Sequence, residues 1–415
     1  MLDLIPIGVL LAAITVVVMR LPRVDVGHTD AYRFRRVVNW LPLGLCYAFL
    51  YMGRYNVTVS KDFGFITESQ FGNIFTVGSW VYGVSFLLNG PLTDKFGGRR
   101  SILLAASGAA TANVFLAIYA RSGALVEHKE LICSVLYGLN MYFQSFGAVA
   151  VVKVNASWFH VRERGTFGGI FGILISLGLY FAYDWGAAIG RNLPLWCLFA
   201  VPAAILYVFW ALCFALVRDN PSEAGHRDFD AGDASSGETG PRLPVFDVAR
   251  RMLTSSVMLI IMVIEFCSGF LRNAIMHWYR DYAKGLGAGD AFVAKNWGLL
   301  LCIAGIMGGM FAGTISDRMF QSRRAPVSAV LYGIMIVGAL VMMPTLDNPH
   351  VVGWTVVVMS MAVIGVHGML SGTASADFGG KKNAGVATGI IDGFVYLGAG
   401  LQSLILGHML PQKKT

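Results

Sequence analysis

Gly90-Pro91-Leu92-Thr93-Asp94-Lys95-Phe96-Gly97-Gly98-Arg99-Arg100 returns about 220 residues later as Gly313-Thr314-Ile315-Ser316-Asp317-Arg318-Met319-Phe320-Gln321-Ser322-Arg323-Arg324. Each copy reads glycine, three residues, aspartate, a basic residue and then an arginine pair. Both follow an apolar run of membrane-spanning length, the second of its half once an extra amino-terminal run is set aside. Two copies in register across a polar middle predict two related halves of one membrane architecture.

The composition agrees. Of 415 residues, 56% are hydrophobic and 13% charged, with a mean hydropathy of +0.62; a soluble domain carries about 25% charged residues. Twelve apolar runs can be placed, each near the roughly 20 residues a spanning helix needs. The first covers 4–19; the others cover 38–58, 68–92, 101–120, 130–156, 164–184, 194–217, 253–279, 291–314, 326–344, 351–371 and 384–409. The loops divide by charge. Arg33/Arg35/Arg36, Lys95/Arg99/Arg100, Arg162/Arg164, Arg242/Arg250/Arg251, Arg318/Arg323/Arg324 and Lys381/Lys382 share one side, which is cytoplasmic by the positive-inside rule. The net charge of +8 is thus a topology signal and does not indicate nucleic acid. The six cysteines lie in or beside apolar runs without disulfide or metal spacing, and the 49 glycines suit helices that pack backbone to backbone.

The expected organisation is all-α and polytopic. An extra helix and basic loop (1–37) precede a six-helix bundle (38–217), a cytoplasmic linker (218–252) and a second bundle (253–415) with five visible runs, so either the sequence is truncated or the last core helix is absent. The run at 4–19 has two readings, a spanning helix or a signal peptide, although no small-residue cleavage site precedes Arg20.

Charge inside a spanning helix is costly and marks function. The candidates are Arg54, Lys153, Glu265, Arg272, Asp392 and His367. Arg54 and Arg272 occupy the first core helices of the two halves, which places them on opposite walls of a central cavity. Two guanidiniums suit a phosphate or carboxylate, because each presents a fixed fork of donors and keeps its charge. Snorkelling, or pairing of Arg272 with Glu265 seven residues away, is the structural alternative. The aspartates Asp94 and Asp317 are read as gate locks; for the arginines beside them, anchoring to lipid headgroups is equally open.

The duplicated loop resembles the signature loop of the major facilitator superfamily. A more specific resemblance follows. Tyr51-Met52-Gly53-Arg54-Tyr55-Asn56 is similar to the Tyr-x-x-Arg-x-Asn element of the organophosphate:phosphate antiporters. Trp158-Phe159, Glu163-Arg164-Gly165, Arg218-Asp219-Asn220-Pro221, Leu271-Arg272 with Trp278, Asp377-Phe378 with Lys381-Lys382, and Tyr396-Leu397-Gly398 follow in order, so the likeness spans 38–409. It implies a major facilitator fold, a multi-pass place in the cell inner membrane, a monomer, and exchange of an organophosphate for inorganic phosphate by rocking of the two halves, with Arg54 and Arg272 as the phosphate clamp. Tyr51 and Asn56 are the preferred neighbours, ahead of Tyr47, Trp80, Tyr82, Tyr142 and Tyr396.

The chain also departs from that pattern. The fifth core helix lacks a histidine found in the glycerol-phosphate members, and a lysine of the second helix is replaced around Phe86, leaving Lys153 as the nearest substitute cation. Asp392, with Glu265 and His367, leaves charge balance or proton coupling open. Two alternatives therefore stand beside the antiporter: a proton-coupled symporter of a carboxylate or sugar acid, and a non-transporting sensor. No nucleotide loop, metalloprotease pattern or catalytic dyad points to an enzyme, and neither cofactor nor metal is expected.

Overall fold

Backbone polar groups inside hydrocarbon must be satisfied within their own segment, which makes each apolar run a helix. The computed structural model describes residues 29–123, 126–160, 164–228, 244–319, 324–369 and 375–409. Each of the eleven runs expected between 38 and 409 is helical there. The first half comprises α1 (Asp30–Asp62), α2 (Glu68–Phe96), α3 (Gly98–Ser122), α4 (Lys129–Trp158), α5 (Arg164–Tyr180) and α7 (Cys197–Leu216), with α5 running through a π-helical turn, Phe181–Trp185, into α6 (Gly186–Asn192). The second comprises α8 (Val245–Thr254), α9 (Ser256–Gly285), the short α10 (Phe292–Lys295), α11 (Trp297–Met319), α12 (Arg324–Met342), α13 (Pro349–Met369) and α14 (Ser375–Met409). The run expected at 4–19 and the chain beyond Met409 lie outside the described residues.

Three contacts recur in both halves. The second helix packs on the fourth (α2 on α4, α11 on α13), the third on the fourth (α3 on α4, α12 on α13) and the first on the fifth (α1 on α5, α9 on α14). The halves meet where the second helix of each lies on the fifth of the other, α2 on α14 and α5 on α11, which is what a twofold relation requires. Glycine makes the α2–α14 seam possible: a Cβ on Gly72 would lie 2.6 Å from the Ser403 carbonyl oxygen, and Gly83 faces Gly393.

Among the described residues, nine helices are long and apolar enough to cross a bilayer by themselves. The helix α1 is not among them, because Asn39, Arg54, Asn56, Thr58, Ser60 and Lys61 interrupt it. All six are buried. Its polar groups are solvated by the rest of the bundle, so α1 belongs at the centre of the first half.

The segment expected as a flexible linker is partly built. Arg218 is pinned on both sides: its N–H donates to Asn39 Oδ1 at 2.7 Å, and its carbonyl accepts from Trp158 Nε1 at 3.0 Å. Asp219 accepts the Arg99 N–H at 2.7 Å and so caps the first turn of α3, where a Cβ on Gly97 would strike its carboxylate. Burial pushes the Asp219 carboxyl above the ordinary carboxylate range, against the opposing pull of these amides. Arg99, read as a headgroup anchor or gate residue, instead donates to the Phe214 carbonyl at 2.6 Å and caps the end of α7. Further on, α8 is amphipathic: Val248 and Met252 pack with Ile390 and Ile391 of α14, while Phe246 and Leu253 are exposed. Asp219→Ala is expected to cost about 1–2 kcal/mol, the usual worth of a helix cap. Asp219→Asn, which keeps an acceptor oxygen, should lower the melting temperature in detergent by clearly less.

Candidate functional site

Arg54 is almost fully buried, at 1% exposure, and every arm of its guanidinium is used. Nε donates to Gln144 Oε1 at 2.9 Å, one terminal nitrogen to the Tyr396 hydroxyl at 2.9 Å and the other to the Tyr82 hydroxyl at 2.8 Å. Its carbon lies 4.4 Å from the Tyr82 ring centre and 4.8 Å from that of Tyr51. Among the described residues no carboxylate forms an ion pair with it. Neutral acceptors and π faces offset part of the desolvation cost, but the positive charge itself stays uncancelled.

The acceptor behind Nε is itself held. Gln144 Nε2 donates to Asn140 Oδ1 at 2.9 Å, Asn140 Nδ2 donates to the Gly53 carbonyl at 2.9 Å, and Asn113 Nδ2 donates to the same carbonyl at 3.1 Å. Asn56 completes this chain by donating to Asn113 Oδ1 at 2.6 Å and to the Leu198 carbonyl. The expectation that Asn56 lines the cavity is therefore corrected. Two residues along a helix point to different faces, so Asn56 turns into the bundle and fastens α1 to α3.

Arg272 lies on α9, the counterpart of α1 in the second half, and is half-buried without a hydrogen bond to any described residue. Arg54 bonds Tyr396 of α14 and lies under the Tyr51 ring, and α9, which carries Arg272, packs on α14. Glu265 does not ion-pair with Arg272: it is buried, and its Oε2 lies 3.0 Å from His367 Nδ1. Asp392 is half-buried one turn before Tyr396 on α14. Lys153 stands nine residues beyond Gln144 on α4, roughly 13 Å along the helix from the residue that holds Arg54. Of the remaining neighbours, Tyr82 and Tyr396 touch Arg54, whereas Trp80 donates at 3.4 Å to the Leu397 carbonyl on the seam. The side chains of Asp94 and Asp317 lie outside the described residues.

A second constellation, at the end opposite the basic loops, was not anticipated. Lys61 of α1 pairs with Asp281 of α9, and its ammonium sits 4.0 Å from the Trp278 ring centre. Asp62 takes Arg280 at 3.0 Å and also Lys284. Asp184, in the π-helical turn, accepts the N–H groups of Gly298 at 3.0 Å and Leu299 at 2.8 Å, capping α11 of the other half. His277 Nδ1 meets the hydroxyls of Thr58 at 3.0 Å and Tyr183 at 2.9 Å, while Nε2 faces Asn273 Oδ1 at 3.1 Å. Asn273 Nδ2 donates to the Gly269 carbonyl, so its oxygen faces the ring; Nε2 then carries the proton and Nδ1 accepts. The available signal was the charge at the two equivalent helix ends, Lys61-Asp62 and Arg280-Asp281 with Lys284.

Two helical bundles related by a repeat, with cations buried at their common interface, define a polytopic membrane transporter fold. Residues 43–403 match the Major Facilitator Superfamily, and the chain belongs to that family. It is 25% identical to the glycerol-3-phosphate transporter of Bacillus subtilis (strain 168), covering 94% of this chain and 89% of that one. It is 27% identical to the membrane sensor protein UhpC of Escherichia coli (strain K12), covering 93% and 89%. A solved bacterial homolog of the human lysosomal transporter Spinster, in an inward-facing and unoccupied conformation, aligns with a TM-score of 0.69 at 14% identity over 92% of this chain and 83% of that one.

Proposed function

We propose that the chain exchanges an organophosphate of the sugar-phosphate or glycerol-phosphate class for inorganic phosphate by alternating access, as a multi-pass protein of the cell inner membrane. The observation that carries this reading is Arg54: a buried cation held by three neutral acceptors, with Arg272 on the equivalent helix of the other half. An anionic oxygen is a stronger acceptor than a phenol, so a phosphate displaces the Tyr82 or Tyr396 hydroxyl from the fork while Gln144 keeps Nε in place. Arg272, half-buried, supplies the second contact from the other half. Because Tyr396 belongs to α14, the same displacement releases one bond between the halves. Both arginines come from one chain, so a monomer suffices. Asp94 and Asp317 remain proposed locks of the cytoplasmic gate. The likeness to a glycerol-3-phosphate transporter over nearly the whole chain supports the substrate class.

Counterflow tests the reading. Proteoliposomes loaded with inorganic phosphate are expected to take up labelled phosphate, and uptake should be inhibited by a sugar phosphate or glycerol phosphate but not by the matching uncharged sugar or glycerol. The absence of any solute that exchanges for phosphate would overturn it. The similarity to a membrane sensor protein favours a second reading, a sensor that binds the same anion without carrying it. That reading gives saturable binding in detergent with no counterflow.

A further inference from the structure

The anion site leaves one buried titratable pair in the second half unused. Glu265 of α9 is fully buried, with Oε2 3.0 Å from Nδ1 of His367 on α13, and its Oε1 is buried without a hydrogen-bond partner among the described residues. A carboxylate supported by a single imidazole in a dry site is not a stable place for an isolated negative charge. The imidazole is the more accessible partner, with its side chain 21% exposed, so it is the member through which a proton arrives.

We propose that Glu265 and His367 form a proton-binding site that loads together with the anion, a proposal that rests on the phosphate reading above. Among the described residues, the groups around the pair are few. Arg272 lies two turns along α9, about 10 Å away by helix rise; its charge acts on both Glu265 and His367, and Asp392 of α14 acts on His367. From α12, the Tyr332 hydroxyl reaches Ser268, three residues from Glu265. Tyr396 of α14 feels Arg272. Arg250 and Arg251 of α8 and Lys295 of α10 are exposed. Arg280, Asp281 and Lys284 belong to the far end of α9, at least 15 residues from Glu265, and Lys61 and Asp62 of α1 pair with them there.

The charge balance then sets the linkage. With one proton shared, the pair is neutral and Arg272 is free to draw an anion. Without it, the pair is −1 and Arg272 is balanced internally. At about 10 Å and an effective dielectric near 20, that difference changes anion affinity by roughly tenfold. Linkage is reciprocal, so the bound anion strengthens proton binding by the same factor. The proton comes from the aqueous side to which the site is open and returns to water when the anion leaves. In one-for-one exchange each anion carries its proton across, and the proton movements cancel.

Phosphate–phosphate exchange measured from about pH 6 to about pH 8, spanning the ordinary imidazole range, gives the test. The ionisation of phosphate is common to every variant, so the comparison between variants isolates the pair. The KM of the wild type is expected to rise roughly tenfold more across this range than that of Glu265→Gln, which mimics the protonated pair. His367→Gln should likewise flatten the profile. Identical profiles for wild type and Glu265→Gln would overturn the proposal while leaving exchange itself intact. If the wild type exchanges no phosphate at any pH, the transport reading fails and infrared spectra decide the proton site. Subtracting Glu265→Gln from wild type should reveal a protonated-carboxyl stretch that is lost as the pH is raised, and its absence would overturn the site.

Discussion

Arg54→Lys is expected to reduce phosphate counterflow by roughly a hundredfold or more, from the loss of about two charge-assisted hydrogen bonds worth about 1.5–3 kcal/mol each. Lysine keeps the charge but concentrates it on one nitrogen, which cannot reach Gln144, Tyr82 and Tyr396 together as the planar fork does. An anion arriving at the lysine finds the ammonium unheld and Gln144 Oε1 without its donor. A companion substitution separates charge from geometry. Gln144→Glu has almost the same shape and places a carboxylate where an amide oxygen now sits 2.9 Å from Nε. The guanidinium then gains an internal counter-ion, so the protein should remain folded in detergent while phosphate affinity falls at least about tenfold, the result of cancelling a buried charge before the ligand arrives. Counterflow and equilibrium binding of labelled phosphate read both variants. Wild-type affinity in Gln144→Glu would show that the uncancelled charge of Arg54 is not what recruits the anion.

Much of this was legible in the sequence, for reasons that also explain what was not. The duplicated Gly-x-x-x-Asp loops announced two halves, and the cost of charge inside hydrocarbon singled out Arg54 and Arg272. Hydropathy, however, locates only the slab of chain that sits in lipid. It ended the first core helix at 58 and the seventh at 279, whereas the helices run on to Asp62 and Gly285. The additional turns hold Lys61, Asp62, Arg280, Asp281 and Lys284, so the cross-half ion pairs fell beyond the expected ends, while the bonds of Asp184 and His277 lay inside them. Asn56 was misplaced because proximity to Arg54 in sequence says nothing about which face of α1 a residue occupies. The amphipathic helix α8 escaped notice because ten residues with, among the described side chains, Val248 and Met252 buried look polar beside spanning runs. Lys153 seemed a substitute cation only because no distance along α4 constrained it.

Lys61→Asp is expected to hold the outer end of the molecule apart, and exchange of the two charges, Lys61→Asp with Asp281→Lys, to bring it back together. The Lys61 side chain is 2% exposed and that of Asp281 16% exposed, so the pair is largely shielded from water. Removing one member of such a pair costs about 3–5 kcal/mol, and reversing it sets three carboxylates, at 61, 62 and 281, against Arg280 and Lys284. A conformational equilibrium moves about tenfold for each 1.4 kcal/mol, so a state closed at this end would become a minor one and exchange should fall at least about tenfold. Asp184 and His277 hold separate cross-half bonds, which should keep the single variant folded. Spin labels at the exposed residues Ser122 and Asp290, with the exposed Cys267 replaced by serine, report the separation of the halves. A short, narrow distance in the wild type should become long and broad in Lys61→Asp and narrow again in the charge-swapped protein. Recovery of both distance and exchange in the swap assigns the closure to the ion pair itself, because a purely packing role for the Lys61 stem against Trp278 and Phe71 would leave the double variant as open as the single one.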